Sequence, residues 1–186
     1  MRLPLACHPD TPCTALERID VELVPSEHGK LRLVYRMLGN AEHVAARMLP
    51  PFERPRRRDE LWRHTCCELF VRDADGDGYV ELNFAPCGDW AAYRFTGYRD
   101  GMHPLETAAP EIALERSPTA LLVSVTLPDW AFAALDGRRI GVASVVETRE
   151  GLSYWALAHP PGRPDFHHAD SFAATLALAH TAASTG

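Results

Sequence analysis

Hydrophobic positions in this chain recur with a period of two far more often than with a period near 3.6. The stretch "KLRLVYRML" (30–38) sets Leu31, Leu33, Tyr35 and Met37 against Arg32, Val34, Arg36 and Leu38, the alternation of a half-buried strand. "RIDVELV" just before it repeats the pattern. Further strands are predicted at residues 43–49, 65–72, 79–86, 90–96, 111–116, 120–127, 139–147, 152–158 and 171–178, most of them separated by Gly, Pro or Asp clusters. "LPDWAFAAL" carries the one persuasive helical signal, with Pro128 and Asp129 at a start and Trp130, Ala133 and Ala134 at helical spacing. With fifteen prolines and no internal repeat, the pattern predicts an all-β chain: an antiparallel β-sandwich of two packed sheets with one short connecting helix.

The densest pattern is "LWRHTCCELFVRDADGDGYVELNFAPCGDW" (61–90). "DADGDG" offers residues that tolerate positive φ, so "TCCELFVR" and "YVELNFAP" are expected to pair as a hairpin around it. With Arg72 opposite Tyr79, Glu68 falls opposite Asn83 and Phe70 opposite Glu81. One face then carries His64, Cys66, Glu68, Phe70, Glu81 and Asn83, and the other carries Thr65, Cys67, Leu69, Val71, Val80, Leu82 and Phe84, a core face. The polar groups are either the wet outside of a sandwich or one wall of a ligand site. Aromatic planes beside carboxylate, amide and imidazole groups, here Trp62 and Trp90, are how proteins hold sugars, the rings covering C–H faces while polar groups pair the hydroxyls.

Length and charge narrow the classes. The 186 residues suit one domain spanning 1–186, and a net charge of -6 argues against a nucleic-acid or anionic-membrane surface. "MRLPLACHPDTPC" lacks the apolar run of a secretion signal, and no stretch approaches the ~18 apolar residues of a membrane span, so a cytoplasmic protein is expected. Adjacent Cys66 and Cys67 must point to opposite faces of a strand and read as small buried hydrophobes. "DADGDG" resembles the start of a calcium loop, yet its twelfth position is Phe84 rather than Glu, which favours a plain turn. "RPRRR" (54–58) reads as a solvated loop. In "SYWALAHPPGRPDFHHADSF" (153–172), His159, Asp165, His167 and His168 match no compact metal spacing, and the prolines predict a crossover whose side chains bond its own backbone. No serine has a nucleophile-elbow context. Glu68 and Glu81 would be diagonal on one face, but a pair on an open sheet lacks the cleft that two-carboxylate catalysis needs, which disfavours an enzyme.

"LWRHTCCELFV", "YVELNFAPCGDWAAYRFTGYR" and "SYWALAHPPGRPDFHHADSF", with "HPDTP" near the start, resemble a bacterial group of single-domain DOMON-like proteins related to family-nine carbohydrate-binding modules. The resemblance runs over nearly the whole chain and implies a jelly-roll-like β-sandwich that binds a ligand, with sugar or haem as the ligands of the wider superfamily. The aromatic clamp of sugar-binding relatives would fall on Trp62, Trp90 and Trp155. Haem-binding relatives use an axial Met with His or Lys, and Met37, Met48 and Met102 lie in no block that marks them as such. The expected function is therefore a non-catalytic module for a small polar ligand, a carbohydrate or sugar-containing metabolite, with Trp62, His64, Glu68, Glu81, Asn83, Trp90 and Trp155 as candidate contacts. A haem- or metal-binding redox module and a glycoside-acting enzyme using Glu68 and Glu81 are the alternatives.

Overall fold

The computed structural model describes residues 1–25, 30–46, 53–128 and 135–177. Among them run twelve strands: β1 (Arg2–Cys7), β2 (Leu16–Pro25), β3 (Leu31–Gly39), β4 (Cys66–Arg72), β5 (Tyr79–Phe84), β6 (Trp90–Phe95), β7 (His103–Pro104), β8 (Glu111–Ser117), β9 (Ala120–Thr126), β10 (Arg139–Thr148), β11 (Gly151–Ala156) and β12 (Ala174–Thr175). Every pairing between these strands is antiparallel, in the order β7-β6-β5-β4-β10-β11-β1-β2-β3-β9-β8, with β12 added beside β10. The path curls into two facing layers. β1 is the corner: Arg2–Leu5 pair with β2 in one layer, while Ala6 and Cys7 pair with β11 in the other. Pro4, which has no N–H to donate, falls where β1 is paired on one side alone.

The main core fills the space between the layers, with Ile19, Val21, Leu33, Tyr35 and Val123 from one side meeting Leu69, Leu82, Phe84 and Val142 from the other. The alternation expected in β3 holds, since Leu31, Leu33, Tyr35 and Met37 are all inaccessible to solvent. The Tyr35 hydroxyl crosses the core and donates to the Glu68 carbonyl at 2.9 Å. Tyr35→Phe should therefore lower stability by roughly 1 kcal/mol while leaving the fold unchanged, as read from a denaturant midpoint at constant slope.

The hairpin register is the one the turn predicts: Arg72 faces Tyr79, Phe70 faces Glu81 and Glu68 faces Asn83. Cys66 and Cys67 are both fully buried on opposite sides of β4, as small hydrophobes. Elsewhere the expectations need correction. The strand expected at 43–49 is absent from its described part, 43–46, because Ala41–His43 form a 3-10 turn; Arg116 donates to the carbonyls of Ala41 and Glu42 in the turn and of Val44 just after it at 2.8 to 3.1 Å, and 47–49 lie outside the described residues. Among the described residues of 171–178 only β12 is extended, following a 3-10 turn at Ala169–Ser171, and residue 178 lies outside them. The expected helix in "LPDWAFAAL" lies mostly outside the described residues. β1 and β7 carry too little alternation to be read from sequence. "RPRRR" is anchored at its end, with Arg57 donating to the carbonyls of Leu105 and Ala92 and Arg58 pairing Asp89 at 2.9 Å.

The outer face of the β4–β5 hairpin is not a wet surface. Phe70, Tyr79, Phe95 and Val145 on the sheet meet Phe166 and Phe172 from the β11–β12 connection, forming a second apolar cluster. At Gly141 on β10 the crossing backbone comes so close that an added Cβ would stand 3.0 Å from the Ser171 carbonyl oxygen. Among the described residues no helix is long and apolar enough to cross a membrane.

Candidate functional site

Because side chains alternate along a strand, the hairpin puts Glu68 and Glu81 on the outer face as diagonal neighbours on adjacent strands. The β11–β12 connection then covers them. Phe166 and His167 pack edge-on against Phe70, with ring centroids 6.4 and 5.2 Å away. The connection is fastened by its own groups, as its prolines imply: the Ser171 hydroxyl donates to the Asp165 carbonyl at 2.8 Å, and the His167 N–H to the Asp165 carboxylate at 3.1 Å. A second tether comes from the turn after β6, where Arg99, held at a left-handed φ of 52°, pairs Asp165 at 2.8 Å and Tyr98 donates to the same carboxylate.

Between sheet and connection lies a cavity of about 300 Å³. Trp62, Phe95, Tyr154 and Phe166 supply aromatic wall, Glu68 and Glu81 lie on the sheet side, and Arg99, Met102 and His167 complete it. Both carboxyls are almost entirely buried, at 3% and 4% exposure. Burial pushes Glu81 up to about 7, against the opposing pull of the Asn83 hydrogen bond and the Arg99 charge. Glu68 is raised well above the ordinary carboxylate range by burial and then by the neighbouring Glu81 charge, with Arg99 again opposing.

The partners of the two groups differ. One Glu81 oxygen accepts from the Asn83 amide at 2.7 Å, and the other stands 3.8 Å from His167 Nε2. Glu68 Oε1 is shut off from solvent and has no hydrogen-bond partner. His167 Nδ1 meets the Tyr79 hydroxyl at 2.7 Å, while burial and then the Arg99 charge hold its pKa down to about 4. With the imidazole neutral and Nδ1 accepting from Tyr79, Nε2 carries the proton toward Glu81. Cys66 nearby has its thiol pKa raised by burial and then by Glu68, so it is no nucleophile.

The residues singled out in the sequence fall in four places. Trp62, Glu68 and Glu81 line the cavity, while Asn83 sits behind and holds Glu81. His64 is exposed, pairs Glu147 at 2.8 Å, and borders a different hollow with Arg58 and Cys87. Trp90 and Trp155 belong to the main core on the inner face, Trp90 beneath the Arg57 guanidinium and Trp155 donating to Ser153 at 3.1 Å. Alternation explains this: Tyr154, one residue from Trp155, is the β11 ring that faces the cavity. Arg99, Met102, Tyr154, Phe166 and His167 carry no local sequence signal that joins them to this site, since long-range chain crossings bring them together.

Met102 and His167 share the cavity, which invites a haem reading, but the residues do not fit one. The space is at the small end of ligand pockets, two carboxyls form its sheet side, and His167 Nε2 faces Glu81. Among the described residues no three His, Cys, Asp or Glu side chains converge as a metal site.

No protein-family model matches the sequence, and neither does any curated protein. Among solved structures the chain is similar to a Bacteroides uniformis protein whose carbohydrate-binding assignment is itself provisional, with a TM-score of 0.60 at 15% identity over 90% of this chain and 82% of the other. At that identity the likeness is one of fold, and the fold shared is the curled antiparallel β-sandwich.

Proposed function

We propose that this protein is a non-catalytic binding module for a small polyhydroxylated ligand, a single sugar ring or a sugar-containing metabolite, held between the β4–β5 hairpin and the β11–β12 connection. The observation that carries the reading is the orphaned Glu68 Oε1, buried beside an aromatic-walled cavity of about 300 Å³. Leaving a buried oxygen unpaired costs roughly 1–3 kcal/mol, which a ligand hydroxyl would relieve. Glu68 and Glu81 can take hydroxyl hydrogens, Arg99 can donate to hydroxyl oxygens, and Trp62 and Tyr154 can cover the apolar face of a ring. The provisional carbohydrate-binding description of the fold neighbour and the DOMON-like resemblance support the same reading.

A thermal-shift screen of sugars and sugar metabolites tests it, a ligand at a hundred times its dissociation constant adding about 2.7 kcal/mol. With a ligand in hand, Trp62→Ala should weaken binding at least tenfold with the fold intact, about 1.4 kcal/mol. Trp90→Ala should instead lower stability by roughly 3–5 kcal/mol, because that ring is core. Unchanged affinity in Trp62→Ala would move the site elsewhere.

One observation favours a second reading, glycoside hydrolysis: the raised carboxyl pKa values are those of a general acid. Against it, both carboxyls rise from one sheet face, whereas hydrolysis needs them on either side of the scissile bond. Turnover of aryl glycosides that Glu81→Gln abolishes would establish catalysis.

A further inference from the structure

We infer that the ligand of this cavity is a sugar carrying a free amine, whose ammonium sits against the Glu68–Glu81 pair. The inference rests on the sugar-binding reading above and narrows it. Its basis is a count of charges around a built site. The pair is fenced by Cys66 from β4, Tyr79 from β5, Tyr93 from β6, Arg99 from the turn after β6, and Asp165 and His167 from the β11–β12 connection. Cys66 and the two tyrosines stay neutral because burial raises their pKa values, and His167 stays neutral because burial and Arg99 lower its own. Arg99 is the one cation in this set, and Asp165 already pairs it at 2.8 Å. Two carboxyls therefore face the cavity without a cation of their own, and in the free protein protons make up the difference.

The geometry suits an ammonium better than a further hydroxyl. Glu68 Oε1 is unpartnered and buried, Glu81 spends one oxygen on Asn83, and the other faces only the neutral His167 ring, 3.8 Å away. Aromatic faces at Trp62, Phe95, Tyr154 and Phe166 surround the same space, and such faces attract a desolvated cation as they do a sugar ring. A ligand cation would replace a proton held by the pair, so binding and proton release are linked.

Titration calorimetry at about pH 6.5, in two buffers of different ionisation heat, tests this with glucosamine, galactosamine and mannosamine, their N-acetyl forms and the parent hexoses. At least one amino sugar should bind about tenfold or more tighter than its parent hexose, ~1.4 kcal/mol. It should release up to about one proton per site. N-acetylation should abolish the preference, and Glu81→Gln should level amine and parent while the variant stays folded. Parent hexoses binding as tightly as the amines, with no proton released, would overturn the inference and leave the sugar-binding reading standing. An amine preference that survives in both Glu68→Gln and Glu81→Gln would also overturn it, by placing the ammonium elsewhere. No binding by any member of the panel would count against both.

Discussion

Leu69→Asp is expected to leave the chain unfolded at neutral pH, whereas Glu68→Gln, one residue away, keeps it folded. Leu69 is wholly buried in the main core, facing Leu82 on β5 and Val142 on β10. An aspartate there loses the apolar side chain and must either bury a charge or fold protonated, and nothing in that cluster of apolar residues offers it a partner. The cost is several kcal/mol against a total stability of about 5–15 kcal/mol. Glu68 points the other way, and burial favours its protonated form, for which a glutamine of nearly the same shape substitutes. Near-ultraviolet circular dichroism and a denaturant melt separate the outcomes. Equal damage from both changes would refute the assignment of faces.

The second large effect is on how stability varies with pH. In the folded chain Glu81 holds its proton up to about 7, while in the unfolded chain it releases it in the ordinary carboxylate range. A raised carboxyl pKa means the folded state binds the proton more tightly, so the associated stability is complete below the ordinary range and is lost as pH climbs through 7. Glu81→Gln has no such proton. Relative to the natural chain it should be near neutral at low pH and more stable above about pH 8, by roughly 3 kcal/mol. His167 acts in the opposite sense, since its lowered pKa makes stability fall as pH drops through about 4; it is present in both chains, so the difference between the two curves reports the Glu68–Glu81 pair, Glu68 losing the Glu81 charge that helps to raise it. The Asn83 amide can still donate to a glutamine oxygen at 81, which keeps the local bond in place. A difference that stays flat from pH 5 to pH 8 would show that Glu81 is solvated.

Much of the fold is local in origin and therefore legible in the residues. The Asp and Gly residues of the 73–78 turn and the alternation on either side of it determine the β4–β5 register, because a slip by one would turn Leu69, Leu82 and Phe84 out of the core. The same period of two predicts β3 with its buried Leu31, Leu33, Tyr35 and Met37, and it predicts that Glu68 and Glu81 share a face. Glu68 and Glu81 could be chosen for that reason, and Trp62 as an aromatic ring flanking their face. What covers that face is not local. Phe166 and His167 stand more than eighty residues along the chain from Tyr79 and Glu81, and only the path of the β11–β12 connection, tied down through Asp165 to Arg99, turns an apparently wet surface into a cavity. The two tryptophans expected beside the ligand went to the core for a related reason: alternation says that Trp155 and Tyr154 face opposite ways, but which of the two faces inward depends on the layer β11 joins. Sequence by itself determined most of the longer strands, the hairpin and the pairing of the carboxyls, but neither β1 nor β7. Tertiary structure alone decided that those carboxyls are buried, because burial depends on which distant segment crosses the sheet, and on that burial rest their raised pKa values and the site itself.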